Sequence, residues 1–579
     1  MAKTPEAWSS RLGVILAVAG SAVGLGNFLR FPGLAAQYGG GAFMIAYFIS
    51  LLLIGIPIGW AEWTMGRKGG IAGFHSSPGI FYSIVRHPLG KYLGVFGFIV
   101  PVMVYMYYVY IEAWCLGYAL NAATGTFSQP GTDFGAFFSR FTGANEDGAS
   151  IQFGLHDVGI FVVLVYVLNF FFIYRGINKG VELVCKWGMP VLIAIALIIL
   201  GRVLTLGTPD ATKPDQSVIN GLGYMWNPAK PVVERQVNGQ WTTVEILVND
   251  QLAETRRATL ATDGSERIAT PSMITNLRNP QLWLAAAGQI FFSLSVGFGA
   301  IITYASYLRR KDDVVLSGLT AASANEFCEV GLGGLITVPA AFVFLGAAGI
   351  IGQGTFALGF NVLPFVFSHM PAADFFSTIF YLLLFLAAIT SSLSMLQPGI
   401  AFFEEGLGLT RKPAMILLGL LTAIGTALIW WFSKDLKALD TIDFWVGTVG
   451  IFLGGAVLII VFSWVIGIDE GIRDAHEGSE MRIPAIYKPI MKYVTPLYLA
   501  VIFIMFLLAN VFGWNFAFGA DARFNPTGYV TDLVGPNPSG SARLTFGFIV
   551  TSIIFVCMLI QQAGKRWDKA AHKSRGKQS

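Results

Sequence analysis

The chain has 579 residues, 54% of them hydrophobic and 12% charged, with a mean hydropathy of +0.63. Soluble domains carry about a quarter charged residues, so this composition excludes a water-soluble globule and predicts an all-α polytopic membrane protein, with the lipid bilayer as its first partner. The formal charge of +4 comes without a basic face or stripe, which excludes a nucleic-acid partner.

Residues 1–11 lack the charged start, short apolar core and small-residue cleavage site of a secretory signal, so the first helix is expected to be retained. That helix, near 11–37, carries Gly20, Gly24, Gly26, Asn27 and Arg30 at membrane depth. A polar side chain there is costly unless the protein receives it. Irregular backbone is tolerated only where protein or a water-filled cavity satisfies its amides and carbonyls. The segment is therefore expected to unwind around something small and polar.

Apolar runs of about 20 residues, enough to cross a bilayer, follow near 41–66, 93–124, 157–174, 183–205, 281–308, 314–345, 375–405, 412–432, 441–466, 487–512 and 543–562, making 12 transmembrane helices in all. An even number puts both termini on one side. Loops holding Arg67, Lys68, Arg86 and Lys91, then Arg175 and Lys179, then Arg309, Arg310 and Lys311, then Arg411 and Lys412 alternate with loops poor in basic residues, and the tail adds Lys565, Arg566, Lys569, Lys573, Arg575 and Lys577. By the positive-inside rule both termini are cytoplasmic.

Two outer segments, 125–156 and 206–279, are polar. In the second, 232–237 and 240–248 are β-prone and flank Asn238-Gly239, which predicts a hairpin; the loop either lids an outer vestibule or meets a partner. Neither segment holds an N-x-S/T acceptor and 125–156 has no cysteine pair, which favours a bacterial inner membrane. Cys115, Cys185, Cys328 and Cys557 read as free thiols in or at the ends of apolar segments. His75, His87, His156, His369 and His476 have no ligand-like spacing with cysteine or acidic partners, so neither a metal-dependent hydrolase nor any other enzyme is indicated.

Helix 6 repeats the oddity of helix 1. Gly288-Gln289-Ile290-Phe291-Phe292-Ser293-Leu294-Ser295-Val296-Gly297-Phe298-Gly299 again places hydroxyls and glycines in the middle of an apolar span, five helices later. Glycine-interrupted helices at matching positions of two halves mark a secondary transporter built from inverted repeats, with substrate and ions bound where those helices unwind. The repeats are then 1–205 (helices 1–5) and 280–466 (helices 6–10), separated by the outer loop 206–279, with 467–579 adding helices 11 and 12 and the basic tail.

The run from Arg11 through Met44, with GSAVGLGNFLRFP and Gly39 to Phe43, together with Tyr107-Tyr108, Gly288 to Tyr307 and Thr390 to Pro398, closely resembles the neurotransmitter:sodium symporter family, and within it the bacterial amino-acid transporters of the leucine-transporter type. The resemblance runs nearly continuously over helices 1–10. It implies the leucine-transporter fold, with a 5+5 inverted repeat and unwound helices 1 and 6, in a monomer or homodimer.

The resemblance implies two sodium sites. One takes the carbonyl of Ala22, the amide of Asn27, Ser293 and Asn325, together with the substrate carboxylate; Ser293 replaces a threonine and keeps its hydroxyl. The other takes the carbonyls of Gly20, Val23 and Ala387 and the hydroxyls of Thr390 and Ser391. The bland alternative for Thr390-Ser391-Ser392 is hydroxyls bonding back to their own helix. For the substrate, the amides of Leu25 and Gly26 at the start of the outer half of helix 1 suit a carboxylate, joined by the Tyr108 hydroxyl, and the carbonyls of Ala22, Phe292 and Ser295 suit an ammonium. Monoamine members carry an aspartate at the position of Gly24, so glycine there points to a substrate that brings its own carboxylate. Val104, Tyr108, Phe292, Phe298, Ser391 and Met395 would line the side-chain pocket, which offers no charge and suits a neutral, mainly hydrophobic amino acid. Met395, where the leucine transporter has isoleucine, adapts its shape easily.

Arg30 and Asp443 match the family's outer ion pair. At the inner gate Glu405 and Trp8 match, but Pro5 stands where the family has its arginine, leaving Lys3 or Arg11 as the cation. Glu329 stands where chloride-dependent members have serine, so chloride independence is expected; Glu329 either takes up a proton on the return step or stays ionised. Glu62 is expected to accept from unwound helix 6, and Glu112 is also intramembrane. The reading is a sodium-coupled symporter of neutral amino acids working by alternating access. A non-transporting sensor on the same scaffold would show sodium-dependent binding without uptake, an osmolyte or amine transporter would need an aromatic cage, and an ion channel would need a filter the sequence lacks.

Overall fold

The computed structural model describes residues 8, 10–237, 240–260, 264–350, 354–516 and 523–575. Nine helices among them are long and apolar enough to cross a membrane: Gly41–Ile71, Gly90–Ala123, Ile177–Leu204, Val315–Ala347, Ala373–Gly406, Arg411–Trp431, Lys434–Ala475, Tyr487–Val511 and Gly540–Lys569. These are predicted helices 2, 3, 5 and 7–12. The other three depart from a long regular helix. Helix 1 is a pair, Arg11–Ala22 and Gly26–Gln37, bent by 48°. Helix 4, Val158–Tyr174, has 17 residues, and helix 6 is split into Pro280–Leu294 and Ala300–Ala305.

Burial sorts the helices by role. The most apolar window of helix 3 is 94% buried and that of helix 8 is 78% buried, against 22% for helices 11 and 12. Helices 3 and 8 therefore form the centre against which the broken helices lie, while 11 and 12 face outward with apolar surfaces suited to lipid.

Both breaks have local causes. Val23 is extended (φ −74°, ψ 97°) between two helical pieces. In helix 6, Ser295, Gly297 and Gly299 have φ of 53°, 75° and 92°, the left-handed region that glycine enters freely and other residues rarely do. Ser295 is held there by its hydroxyl, which donates to the Ser21 carbonyl at 3.1 Å and so ties one break to the other. The freed Gly297 N–H donates to the Glu62 carboxylate at 3.1 Å, the structural role expected for that residue.

The 206–279 segment contains the expected antiparallel pair, β1 (Val232–Val237) and β2 (Gln240–Ile246), plus a third strand, β3 (Glu266–Ala269), in the order β2-β1-β3. Asn238-Gly239 lies outside the described residues, but Val237 pairs with Gln240 as a two-residue connection requires. A short helix, Val218–Trp226, docks the segment onto the far end of helix 1. There the Tyr224 hydroxyl donates to the Ala36 carbonyl at 2.6 Å and the Lys230 ammonium to Gly39 at 2.7 Å.

Burial lowers the Lys230 pKa from 10.5 to about 7. Between these values the detached loop binds a proton that the docked loop lacks, so docking strengthens as pH rises from about 7 towards 10.5. Cleavage of the 206–279 loop by an added protease, normalised to an unstructured peptide of the same sequence, should therefore slow between neutral pH and about pH 9, and Lys230→Met should remove the dependence.

Candidate ion and substrate site

Two oxygen clusters form where helix 1 is broken. In the first, the Ser391 hydroxyl on helix 8 lies 3.2 Å from the Gly20 carbonyl, 3.4 Å from that of Val23 and 3.1 Å from that of Ala387. The Thr390 hydroxyl lies 3.1 Å from the Ala387 carbonyl. Thr390 and Ser391 do reach back along their own helix, as the bland alternative holds, yet that alternative does not explain why carbonyls of helix 1 converge on the same hydroxyl. All five residues expected at this site are brought together.

The second cluster joins helices 1, 6 and 7. The Asn27 side chain donates to the Asn325 carbonyl oxygen at 2.9 Å and caps the break by accepting from the Gly24 N–H at 2.8 Å. Asn325 donates to the Ser293 hydroxyl at 2.6 Å. Glu329 closes the group, accepting from Ser293, from Gln289 at 2.5 Å and from Asn325 at 3.2 Å. Ala22, the fourth expected residue, is the last of the inner half of helix 1. Gln289 was legible as an amide inside an apolar helix, but its role as a partner of Glu329 was not. Glu326, which accepts from the Tyr47 hydroxyl at 2.8 Å one turn from Glu329, was not singled out by sequence reasoning.

Gly24 separates the two clusters. A Cβ there would stand 2.9 Å from the Tyr108 hydroxyl oxygen and 2.9 Å from that of Ser391. The backbone can approach both hydroxyls only because the side chain is absent. The Leu25 N–H points to the Tyr108 hydroxyl at 3.4 Å. Leu25, Gly26, Tyr108 and Phe292 form the floor of a cavity of about 430 Å³ that opens towards the end of the bundle bearing the 206–279 loop. Val104, Phe298, Ser391 and Met395 are buried. The cavity wall also uses residues 354–357, from a connection with a short helix at 355–368 that sequence reasoning passed over.

The expected outer ion pair is not closed. Arg30 and Asp443 both line the cavity, but Arg30 lies over the Phe292 ring at 4.7 Å, and Asp443 accepts from the Tyr107 hydroxyl at 2.5 Å. At the inner end the expected gate residues have other partners in this structure. Glu405 accepts from the N–H groups of His75 at 2.5 Å and Ser76 at 2.8 Å and from the Ser76 hydroxyl at 2.9 Å. It thereby anchors the connection between helices 2 and 3. Arg11 binds Asp313 at 3.3 Å and Glu480 at 2.6 Å instead, and Lys3 and Pro5 lie outside the described residues. Trp8 does close this end, donating to the Tyr304 carbonyl at 3.1 Å with its ring edge-on to Tyr304.

The profile of the sodium:neurotransmitter symporter family matches residues 5–131 and 259–565. A sodium-dependent transporter of Haemophilus influenzae is 27% identical over 87% of this chain and 98% of its own length. The sodium-dependent neutral amino acid transporter B(0)AT1 of Rattus norvegicus is 24% identical over 87% of this chain and 82% of its own length. Among solved structures, MhsT in complex with L-phenylalanine is 26% identical, with a TM-score of 0.68 over 87% of this chain and all of that one.

Proposed function

Because the chain belongs to the sodium:neurotransmitter symporter family, we propose that it carries neutral, mainly hydrophobic α-amino acids together with sodium, by alternating access and without chloride. The carrying observation is the contact of Gly24 with Tyr108 and Ser391. With glycine there the chain brings no acidic side chain of its own to meet an amine, so the substrate's own carboxylate takes the N–H groups of Leu25 and Gly26, the Tyr108 hydroxyl and a sodium ion at Asn27, Ser293 and Asn325. The ammonium falls to the carbonyls of Ala22, Phe292 and Ser295. The printed substrates of B(0)AT1 and of MhsT, neutral amino acids and L-phenylalanine, support this class.

The second sodium, at Gly20, Val23, Ala387, Thr390 and Ser391, ties the inner half of helix 1 to helix 8. Its departure frees helix 1 to swing and release substrate at the end where the chain begins. In a bacterial inner membrane that end faces the cytoplasm. A cavity open at the loop end, with Trp8 and Arg11 closing the other, suits the form that receives substrate.

Uptake of labelled leucine or phenylalanine into proteoliposomes should require an inward sodium gradient and persist when gluconate replaces chloride. Absence of sodium stimulation across a panel of amino acids would sink the reading, and binding without uptake would make the chain a sensor. Thr390→Val, which keeps the side chain's shape and removes one oxygen, should raise the half-saturating sodium concentration by roughly fivefold to tenfold, the loss of about one hydrogen-bond-strength contact.

A further inference from the structure

The end of the bundle where the chain begins holds a concavity of about 740 Å³ between the close of helix 10 and the approach to helix 11, lined among others by Arg473, His476 and Arg482. Its three acids are each engaged: Asp469 by Lys488 at 2.7 Å, Glu477 by Arg310 at 2.7 Å and Asp474 by Lys68 at 2.6 Å. Arg473 and Arg482 are exposed, and among the described residues neither has an ion pair. The concavity therefore presents two exposed guanidiniums that no salt bridge holds, with only the longer-range charge of Glu470 near Arg473. His476 stands in the same field: its Nε2 accepts the Ile483 N–H at 2.8 Å, and after burial it is the charge of Arg482 and Lys488 that lowers its pKa.

The surroundings fix the depth of this concavity. Trp464 is 62% exposed, Tyr493 56% and Ile486 62%, and the Trp464 indole donates to the Lys492 carbonyl at 2.9 Å. Outward tryptophan and tyrosine mark the membrane–water boundary. Trp464 precedes Arg473 by nine residues and Ile486 follows Arg482 by four, which puts the arginines just beyond that boundary. A guanidinium meets phosphate with a two-pronged fork that a lysine lacks, and basic pockets at the membrane surface between helices suit anionic headgroups. We propose that this concavity binds the phosphodiester headgroup of an anionic membrane lipid, with Arg473 and Arg482 on the phosphate and Trp464, Ile486 and Tyr493 against the first part of its acyl chains.

The test offers the full-length protein, in nanodiscs containing equal parts phosphatidylglycerol and phosphatidylcholine, to extraction and native mass spectrometry. The wild type should retain phosphatidylglycerol over phosphatidylcholine on the order of tenfold. Arg473→Gln combined with Arg482→Gln should erase the preference, and Arg202→Gln at the opposite end should leave it intact. Arg482→Lys keeps the charge and loses the fork, so an intermediate preference is expected and guards against a misfolded double variant. Equal retention of both lipids by the wild type would overturn the proposal, as would an unchanged preference in the double variant. Release of the lipid by millimolar inorganic phosphate would also overturn it, since that would make the concavity a free-anion site.

Discussion

Gly24→Asp is expected to abolish sodium-driven uptake of neutral α-amino acids, lowering it by at least about a hundredfold, or about 2.8 kcal/mol. Two effects combine. The added Cβ stands 2.9 Å from the hydroxyl oxygens of Tyr108 and Ser391, and the Tyr108 hydroxyl can yield only by leaving the Leu25 N–H that it faces. Ser391 can rotate, but only by leaving the carbonyls of Gly20, Val23 and Ala387. The new carboxylate then competes with the substrate's own for the helix 1 amides and for sodium. Gly24→Ala separates the effects, since it carries the steric part alone and should retain measurable uptake. Labelled-substrate uptake and sodium-dependent thermal stabilisation of both variants decide the matter. An aspartate variant within about threefold of the parent would show that the substrate's carboxylate is held elsewhere.

Glu329→Gln should weaken sodium binding at least tenfold, about 1.4 kcal/mol. The Glu329 carboxylate receives Gln289, Ser293, Asn325 and, at 3.4 Å, Asn27. Every one of these partners donates, so the amide N–H of glutamine would meet donors, and a buried donor without an acceptor costs about 1–3 kcal/mol. The substitution also removes a carboxylate from beside Asn27, Ser293 and Asn325, where the sodium ion is proposed to bind. Glu329→Ser opens space without adding a donor against donors, and chloride can then supply the missing charge. Its uptake should depend on chloride, in contrast to the chloride independence proposed for the parent. Equal uptake by the serine variant in chloride and gluconate, with sodium affinity unchanged, would remove Glu329 from the ion balance.

The parts of this site that were legible in the sequence share a physical reason. Glycines, hydroxyls and an amide inside apolar spans have few explanations in lipid, so the breaks at Val23 and at Ser295–Gly299 could be placed before any geometry was known. Features that depend on which element packs beside which could not. Glu405 sits where a gate carboxylate is expected, but its oxygens are taken by the backbone of His75 and Ser76, and nothing in the residues near 405 announces that neighbour. β3 escaped notice because Glu266-Arg267-Ile268-Ala269 is short and charged, as edge strands are; its place is set by Arg235 and Glu234, which bind Glu266 and Arg267 across the sheet. The 355–368 helix is apolar but too short to cross a bilayer, and so left no periodic signal of its own.

The resting place of Arg30 has a consequence for how little energy the cycle needs to turn. A guanidinium drawn from bulk water to Asp443 would first shed its hydration, a large barrier in a narrow vestibule. Here that shell is already partly replaced by the Phe292 face at 4.7 Å, and Asp443 is already engaged by Tyr107. Closing the pair would then exchange one set of partners for another rather than strip both groups bare, like a door between two catches. A tenfold bias in either direction needs only about 1.4 kcal/mol, well within what one sodium ion and one amino acid can supply by favouring one arrangement over the other.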